Sequence, residues 1–239
     1  MPLPKIATPT YELELPSTRK PIHYRPFLVK EEKLLVLALE SEDTKEITTA
    51  IKNVIKSCIK TRGIKVETLP TFDIEFLFLN IRGKSVGEDI EVNLICPDDG
   101  KTQVPVTINI DDVKIQRTEG HTNKIKLDSS LMMEMKYPSL SEFIKNNFDF
   151  KEENVMDQSF ELIATCIDKI YNEEEVWAAA DCTKKEITTF LDSMNSSQFK
   201  EIEKFFETMP KLSHKVKITN PNTKVESEVV MEGLSSFFG

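Results

Sequence analysis

Residues 92–108, VNLICPDDGKTQVPVTI, contain the pattern that decides the fold. Apolar and polar residues alternate on both sides of a turn that contains proline, which is the period of strands with one buried face. Residues 216–230, VKITNPNTKVESEVV, repeat the arrangement. Proline fixes φ in each turn, while Asp, Asn and Gly favour turn conformations. The sequence therefore predicts two β-hairpins of one design.

The two predicted turns have the shape of zinc knuckles, in which a C-P-x-C turn supplies two metal ligands. Only Cys96 remains of four possible thiolates, and Asp99, Asn220 and Thr223 occupy the other places. A structural zinc site normally needs four ligands, mostly Cys and His. We therefore predict degenerate knuckles that hold no metal and are joined by hydrogen bonds and packing, with a bound zinc ion as the alternative. The repeat is consistent with duplication of a helix-plus-hairpin unit; the alternative is that the two hairpins lie side by side, as two knuckles must to share one metal.

The composition is that of an ordinary globular protein. The chain has 239 residues, of which 39% are hydrophobic and 30% charged, with a formal net charge of -9. The mean hydropathy is -0.31, and no apolar run approaches the roughly 20 residues of a membrane span. The acidic balance argues against nucleic acid and anionic membranes as partners, because both require basic surface.

Sequence motifs of catalysis are missing. The three histidines and four cysteines form no metal-ligand spacing, and no phosphate-binding loop or nucleophile elbow is present. Adjacent carboxylates such as Asp111 and Asp112 are typical of solvated turns. We predict a protein that is not an enzyme and that needs no cofactor. Cys58, at helical spacing from Ile51, Val54 and Ile55, is predicted to be a buried small hydrophobe.

Three segments are expected along this α+β chain. Residues 1–21 hold five prolines and indicate an extended arm, 22–136 hold helices and the first hairpin, and 137–239 hold helices, the second hairpin and an aromatic tail. The alternative is that the last two segments form one compact domain. Apolar spacings of three and four predict helices, and Asp43 and Thr183 are their candidate N-caps. The predicted helices lie near residues 34–39, 47–59, 70–82, 160–171, 187–194 and 199–209.

Three aromatic residues are candidates for contact with a partner. Trp177 follows a charged turn and is expected to be a core or interface anchor. Phe237 and Phe238 lie in the C-terminal tail, next to Gly239, where they must either dock on the core or stay exposed for a partner. We expect removal of residues 1–21 or 235–239 to leave the fold intact but to abolish incorporation into the assembly of its partners.

Several segments together resemble the baseplate hub family of T4-like bacteriophages, which includes hub subunits and hub assembly proteins. The segments that carry the resemblance are 25–33 (RPFLVKEEK), 69–75 (LPTFDIE), 82–88 (RGKSVGE), 205–212 (FFETMPKL) and 232–238 (EGLSSFF). Members often carry C-P-x-C and C-x-x-C at the two turns, and this chain departs from them at Asp99, Asn220 and Thr223.

The resemblance implies a non-catalytic role in building the central hub of a contractile phage tail, through contacts with other hub proteins. It implies a location in the host cytoplasm during assembly, and in the tail baseplate if the protein stays in the virion. The alternative is a zinc-ribbon-like module that binds nucleic acid or a regulator. A salt-dependent gel shift distinguishes the two, because the acidic balance predicts no shift.

Overall fold

The computed structural model describes residues 6–41, 43–140 and 155–237. The fold is mixed α+β, as predicted, with small antiparallel sheets and six α-helices in the described residues. The helices are α1 (Val29–Glu40), α2 (Thr44–Cys58), α3 (Thr71–Val86), α4 (Val155–Cys166), α5 (Lys184–Asp192) and α6 (Ser196–Thr208). The chain divides into two compact units with separate cores.

The first unit comprises the described residues of 1–66, 72–116 and 211–239. It contains α1 to α3 and seven strands in three sheets, ordered β1-β2, β3-β4 and β11-β10-β5. The strands are β1 (Tyr11–Glu14), β2 (Pro21–Tyr24), β3 (Asp89–Ile95), β4 (Gln103–Asn109), β5 (Lys114–Gln116), β10 (Lys211–Thr219) and β11 (Glu226–Glu232). Both predicted hairpins are confirmed, as β3-β4 and β10-β11.

The core of the first unit takes one face from each hairpin. Ile90 and Val92 of β3 are buried, as are Val216 and Ile218 of β10, while alternate residues face solvent. Leu79 of α3 packs in the same cluster. The period-two pattern thus places the apolar residues of both hairpins in one core.

The second unit comprises the described residues of 67–71 and 117–210. Helices α4 to α6 accompany one four-stranded sheet of order β6-β7-β8-β9. Its strands are β6 (Lys124–Lys126), β7 (Met132–Met135), β8 (Ile167–Tyr171) and β9 (Val176–Ala178). The division of the chain into segments 22–136 and 137–239 does not coincide with these units, because β10 and β11 return to the first unit and pair with β5.

Local capping signals are confirmed at two helices. The side chain of Asp43 accepts hydrogen bonds from the backbone N–H of Lys45 and Glu46 at the start of α2. Thr183 and Glu186 form a reciprocal capping box at the start of α5. These contacts satisfy N–H groups that have no partner within the helix.

Two sequence expectations are corrected. The helix predicted over 160–171 ends at Cys166, because Ile167–Tyr171 pairs with β7 as a strand, and this tertiary pairing overrides the helical spacing. Residues 11–21 of the predicted arm belong to the hairpin β1-β2, whose second strand continues to Tyr24, and Leu15 is buried. Removal of residues 1–21 therefore removes core contacts.

A buried ion pair fixes the start of α1 within the resemblance segment 25–33. Arg25 Nη2 lies 3.0 Å from Glu31 Oε1, and both residues are buried. The N–H of Leu28 donates to Glu31 Oε2 at 2.7 Å. Burial would raise the pKa of Glu31, but these hydrogen bonds outweigh burial and lower the pKa.

Candidate functional site

The turns of the two hairpins meet and form a hydrogen-bonded cluster, here named the turn junction. Its members are Cys96, Asp98, Asp99, Thr102, Asn220, Asn222 and Thr223. All four predicted knuckle positions, Cys96, Asp99, Asn220 and Thr223, belong to it. The expectation that the hairpins lie side by side is confirmed.

Both turns are closed by the same kind of backbone hydrogen bond. The N–H of Gly100 donates to the carbonyl of Cys96 at 2.9 Å, and the N–H of Lys224 donates to the carbonyl of Asn220 at 2.9 Å. Gly100 has φ 63° and Lys224 has φ 64°, so each turn closes through one left-handed residue. The two turns therefore correspond from their first residue to their left-handed residue, with Asn220 at the position of Cys96, although the first turn is one residue longer before its second strand begins.

Asn220 is the centre of the junction and is fully buried. Its Nδ2 lies 3.1 Å from each Asp98 oxygen and 2.9 Å from Asp99 Oδ2. Its Oδ1 accepts from the backbone N–H of Asn222 at 2.9 Å. The amide orientation is thereby fixed, because only Nδ2 can donate to the carboxylates.

Two further contacts join the turns. The hydroxyl of Thr223 donates to Asp98 Oδ2. Asn222 Nδ2 donates to Thr102 Oγ1 at 3.0 Å. Within the first turn, Asp99 Oδ1 accepts from the N–H of Thr102 at 3.0 Å. The junction thus connects segments at least 120 residues apart in the chain.

The hydrogen bonds keep both carboxyl groups ionised. The Thr223 hydroxyl, followed by the Asn220 amide, lowers the pKa of Asp98. The Thr102 hydroxyl and backbone N–H groups hold the pKa of Asp99 well below its usual range. Donors that contact the charged form favour ionisation.

The environment of Cys96 does not favour a thiolate. Burial, followed by the charges of Asp98 and Asp99, raises the pKa of this thiol. Cys96 packs in the core of the first unit. A thiol that stays protonated is a poor metal ligand.

Metal binding finds no support in the part of the chain that the structure describes. No group of three or more His, Cys, Asp and Glu side chains is placed to hold a metal ion there. His121, one of the histidines, is engaged in the second unit, where its Nδ1 lies 2.9 Å from Thr208 Oγ1. The arrangement of the turn junction suits a structural link between hairpins.

The aromatic candidates belong to different units and differ in accessibility. Phe237 has 0% exposure and packs in the core of the first unit. It docks because the 3₁₀ turn Leu234–Phe237, which follows the left-handed Gly233, returns the chain onto the hairpins. Phe237 is therefore a core side chain that a partner cannot reach in this structure. Phe238 lies outside the described residues.

Trp177 belongs to the second unit and is 38% exposed. It lies on β9, an edge strand of the four-stranded sheet, beside the more exposed Val176. Edge strands and exposed aromatic side chains are common sites of association.

Comparison with protein families gives one match, to the family described as T4 bacteriophage base plate protein, over residues 8–239. The chain belongs to this family. The baseplate family supports a structural role in the phage tail and contact with other baseplate proteins. No curated protein and no solved structure matches the chain. Among the described residues of this baseplate protein, no helix has the length and apolar character to cross a membrane.

The sequence alone missed three residues of the junction of this baseplate protein. Asp98, Thr102 and Asn222 were not singled out, although all three make contacts between the turns. The available signal was their turn composition, which predicts local hydrogen bonds only. Which side chain faces the other turn depends on tertiary structure.

Proposed function

We propose that this protein acts in the central hub of a contractile-tail baseplate, as a hub subunit or hub assembly factor that works through protein–protein contacts without catalysis. The observation that carries the proposal is the family match over residues 8–239. It acts during assembly in the host cytoplasm, and a subunit would remain in the virion tail.

The second unit offers one surface for such a contact. Trp177 and Val176 project from the edge strand β9 with 38% and 62% exposure. A Trp anchor on an open strand edge supports association by apolar burial together with backbone pairing. We propose that Trp177 contacts a hub partner.

The proposal is tested in a phage that lacks the gene and is complemented from a plasmid. We expect complete baseplates with the natural chain and few with Trp177→Ala. The control Val225→Ala removes a similarly exposed apolar side chain, 45% exposed, from the first unit, and should assemble normally. Circular dichroism of both purified variants checks that they fold.

Two measurements test the proposed function: the number of complete baseplates and the protein content of purified virions. Normal numbers of complete baseplates in the absence of the chain would overturn the proposed function. Mass spectrometry of purified virions then separates a subunit, which is present in them, from an assembly factor, which is absent. Truncation of residues 235–239 is a poor test, because it removes the core side chain Phe237.

A further inference from the structure

Helix α1 exposes apolar side chains on several sides. Residues 34–39 read LLVLAL, six apolar residues in a row, which exceeds one helical turn and so covers the whole circumference. Val36, Leu37 and Leu39 are 48%, 64% and 47% exposed. A helix that is apolar all round is normally buried, and a contiguous exposed apolar patch usually marks an interaction site.

A groove adjoins this exposed surface within the first unit. Its volume is about 370 Å³. Apolar side chains of all three helices line it: Leu35 and Leu39 of α1, Ile47 and Ile51 of α2, and Phe78 and Val86 of α3. The apolar surface of α1 therefore continues into a concave site.

One cation, Arg82 of α3, lies among the described lining residues of the groove. Its Nη1 is buried and has no hydrogen-bond partner among the residues that the structure describes. Burial lowers the pKa of this guanidinium. A buried N–H donor without an acceptor is costly, and more so when the group is charged. An anionic group that enters the groove would supply the missing acceptor.

We propose that the groove and α1 form the docking site of an amphipathic helix from another baseplate protein, with one Asp or Glu within its apolar face. The apolar residues of that helix cover α1 and fill the groove, and its carboxylate pairs with Arg82. This inference rests on the proposed function, because it names the kind of partner.

The unpaired charge of Arg82 and the exposed apolar surface of α1 favour an amphipathic helix over other occupants of the groove. In a symmetric pair of identical chains each partner presents the same patch, and the lining residues that the structure describes include no carboxylate for Arg82. A small apolar acid would fill the groove but would leave Val36 and Leu37 exposed, since neither lines it. An amphipathic helix covers both, in the manner of helix-in-groove recognition.

The test uses the full chain and synthetic peptides of about 18 residues, roughly 27 Å as helices. The peptides tile the other baseplate proteins of the same phage, and binding is measured by fluorescence anisotropy. We expect the bound peptides to carry apolar residues at spacings of three and four with an acidic residue between them. Arg82→Gln should weaken binding about tenfold or more, because it leaves the buried carboxylate unpaired.

Charge reversal makes the test specific. The Arg82→Glu variant should no longer bind the natural peptide. It should instead bind a peptide in which Lys replaces the acidic residue. Leu39→Gln should weaken binding, while its control Val230→Gln, at a residue of β11 with 48% exposure, should not. Arg82→Met keeps the aliphatic stem and should fold normally, so its loss of binding reports the charge alone.

Three outcomes of the measurements on purified protein would overturn the inference. The first is that no peptide binds, and the second is that Arg82→Gln and Val230→Gln bind equally well. The third is a dimer of this chain, seen by sedimentation, that Leu39→Gln abolishes. In infected cells, normal baseplates with Arg82→Glu would refute the docking site and leave the proposed function standing, whereas normal baseplates without the chain would refute the proposed function itself.

Discussion

At the residue scale, the turn junction depends on the amide of Asn220. The buried Nδ2 donates to Asp98 and Asp99, and Oδ1 accepts from the backbone of its own turn. An Asp side chain at position 220 would have the same shape but no hydrogen-bond donor. A shorter side chain would leave Asp98 and Asp99 without the donor that they share. The geometry therefore requires an amide at this position.

We expect Asn220→Asp to destabilise the protein more than Asn220→Ala. The alanine variant loses the hydrogen bonds and should lower the free energy of unfolding by about 1–3 kcal/mol. The aspartate variant adds a third negative charge beside two carboxylates, and like charges repel. Urea unfolding at pH 7 measures both variants. Equal stability of the natural protein and Asn220→Asp would contradict the described junction.

The junction should also make stability depend on pH in the acid range. The pKa values of Asp98 and Asp99 are lowered in the folded chain, so the unfolded chain binds protons first, near its ordinary pKa of about 3.9. Stability is therefore fully present above that value and falls as pH decreases below it. We expect the melting temperature to drop as the pH falls below about 4.

The matched variants for this pH series are Asp99→Asn and Asp192→Asn. The first removes a junction carboxyl group and should flatten the fall in melting temperature. The second removes an exposed carboxyl group of α5 and should leave the fall unchanged. Identical curves for both variants would show that the junction does not contribute.

Truncation to alanine should destabilise the protein far more at Phe237 than at Trp177. Phe237→Ala removes a fully buried aromatic side chain and should lower the free energy of unfolding by about 3–5 kcal/mol. Trp177→Ala, at a partly exposed site, should lower it by less than about 1 kcal/mol. Chemical denaturation measures both values. A larger loss for Trp177→Ala would mean that Trp177 is a core side chain.

At the element scale, the two hairpins are built from local signals that the sequence displays. The alternation of apolar and polar residues predicts which face of each strand is buried, and the Pro, Asp, Asn and Gly residues of the turns predict where each strand ends. Both predictions succeed because they depend only on residues that are neighbours in the sequence. Strand β8 escaped prediction, since its apolar spacing continues that of α4 and only pairing with β7 selects a strand. The role of Asp98 escaped too, because its partner Asn220 lies 122 residues away.

Opposite substitutions at the left-handed residues of the two turns, Lys224 and Gly100, test how much the backbone conformation of each turn contributes to stability. Lys224 has φ 64°, which costs an L-residue roughly 1–2 kcal/mol. Lys224→Gly should raise the free energy of unfolding by about 0.5–1 kcal/mol after the extra entropy of glycine.

The reciprocal change, Gly100→Ala, should lower the free energy of unfolding by about 1–2 kcal/mol. A Cβ at Gly100 has open space around it, so backbone strain alone sets this cost. Thermal unfolding compares the two variants. A shift of the same sign in both would contradict the shared turn geometry.

At the scale of the whole molecule, separate cores should give separate local stabilities. We expect Phe237→Ala to accelerate amide hydrogen exchange in β3, β4, β10 and β11 and to leave α4 to α6 nearly unchanged. Phe205→Ala, in the core of the second unit, should do the reverse. Cooperative units open independently when few stabilising contacts are shared. Equal acceleration throughout the chain in either variant would show a single cooperative unit.

The pairing of β10 with β5 has a consequence for the order of events during synthesis. The first unit cannot complete its core until residues 211–237 leave the ribosome, and the intervening stretch 117–210 takes roughly 5–20 s to translate. Most of the second unit, in contrast, is one continuous stretch. The second unit can therefore complete its core before the first unit does. Until β10 and β11 arrive, the core face of hairpin β3-β4 stays uncovered and accessible to a chaperone or to another baseplate protein.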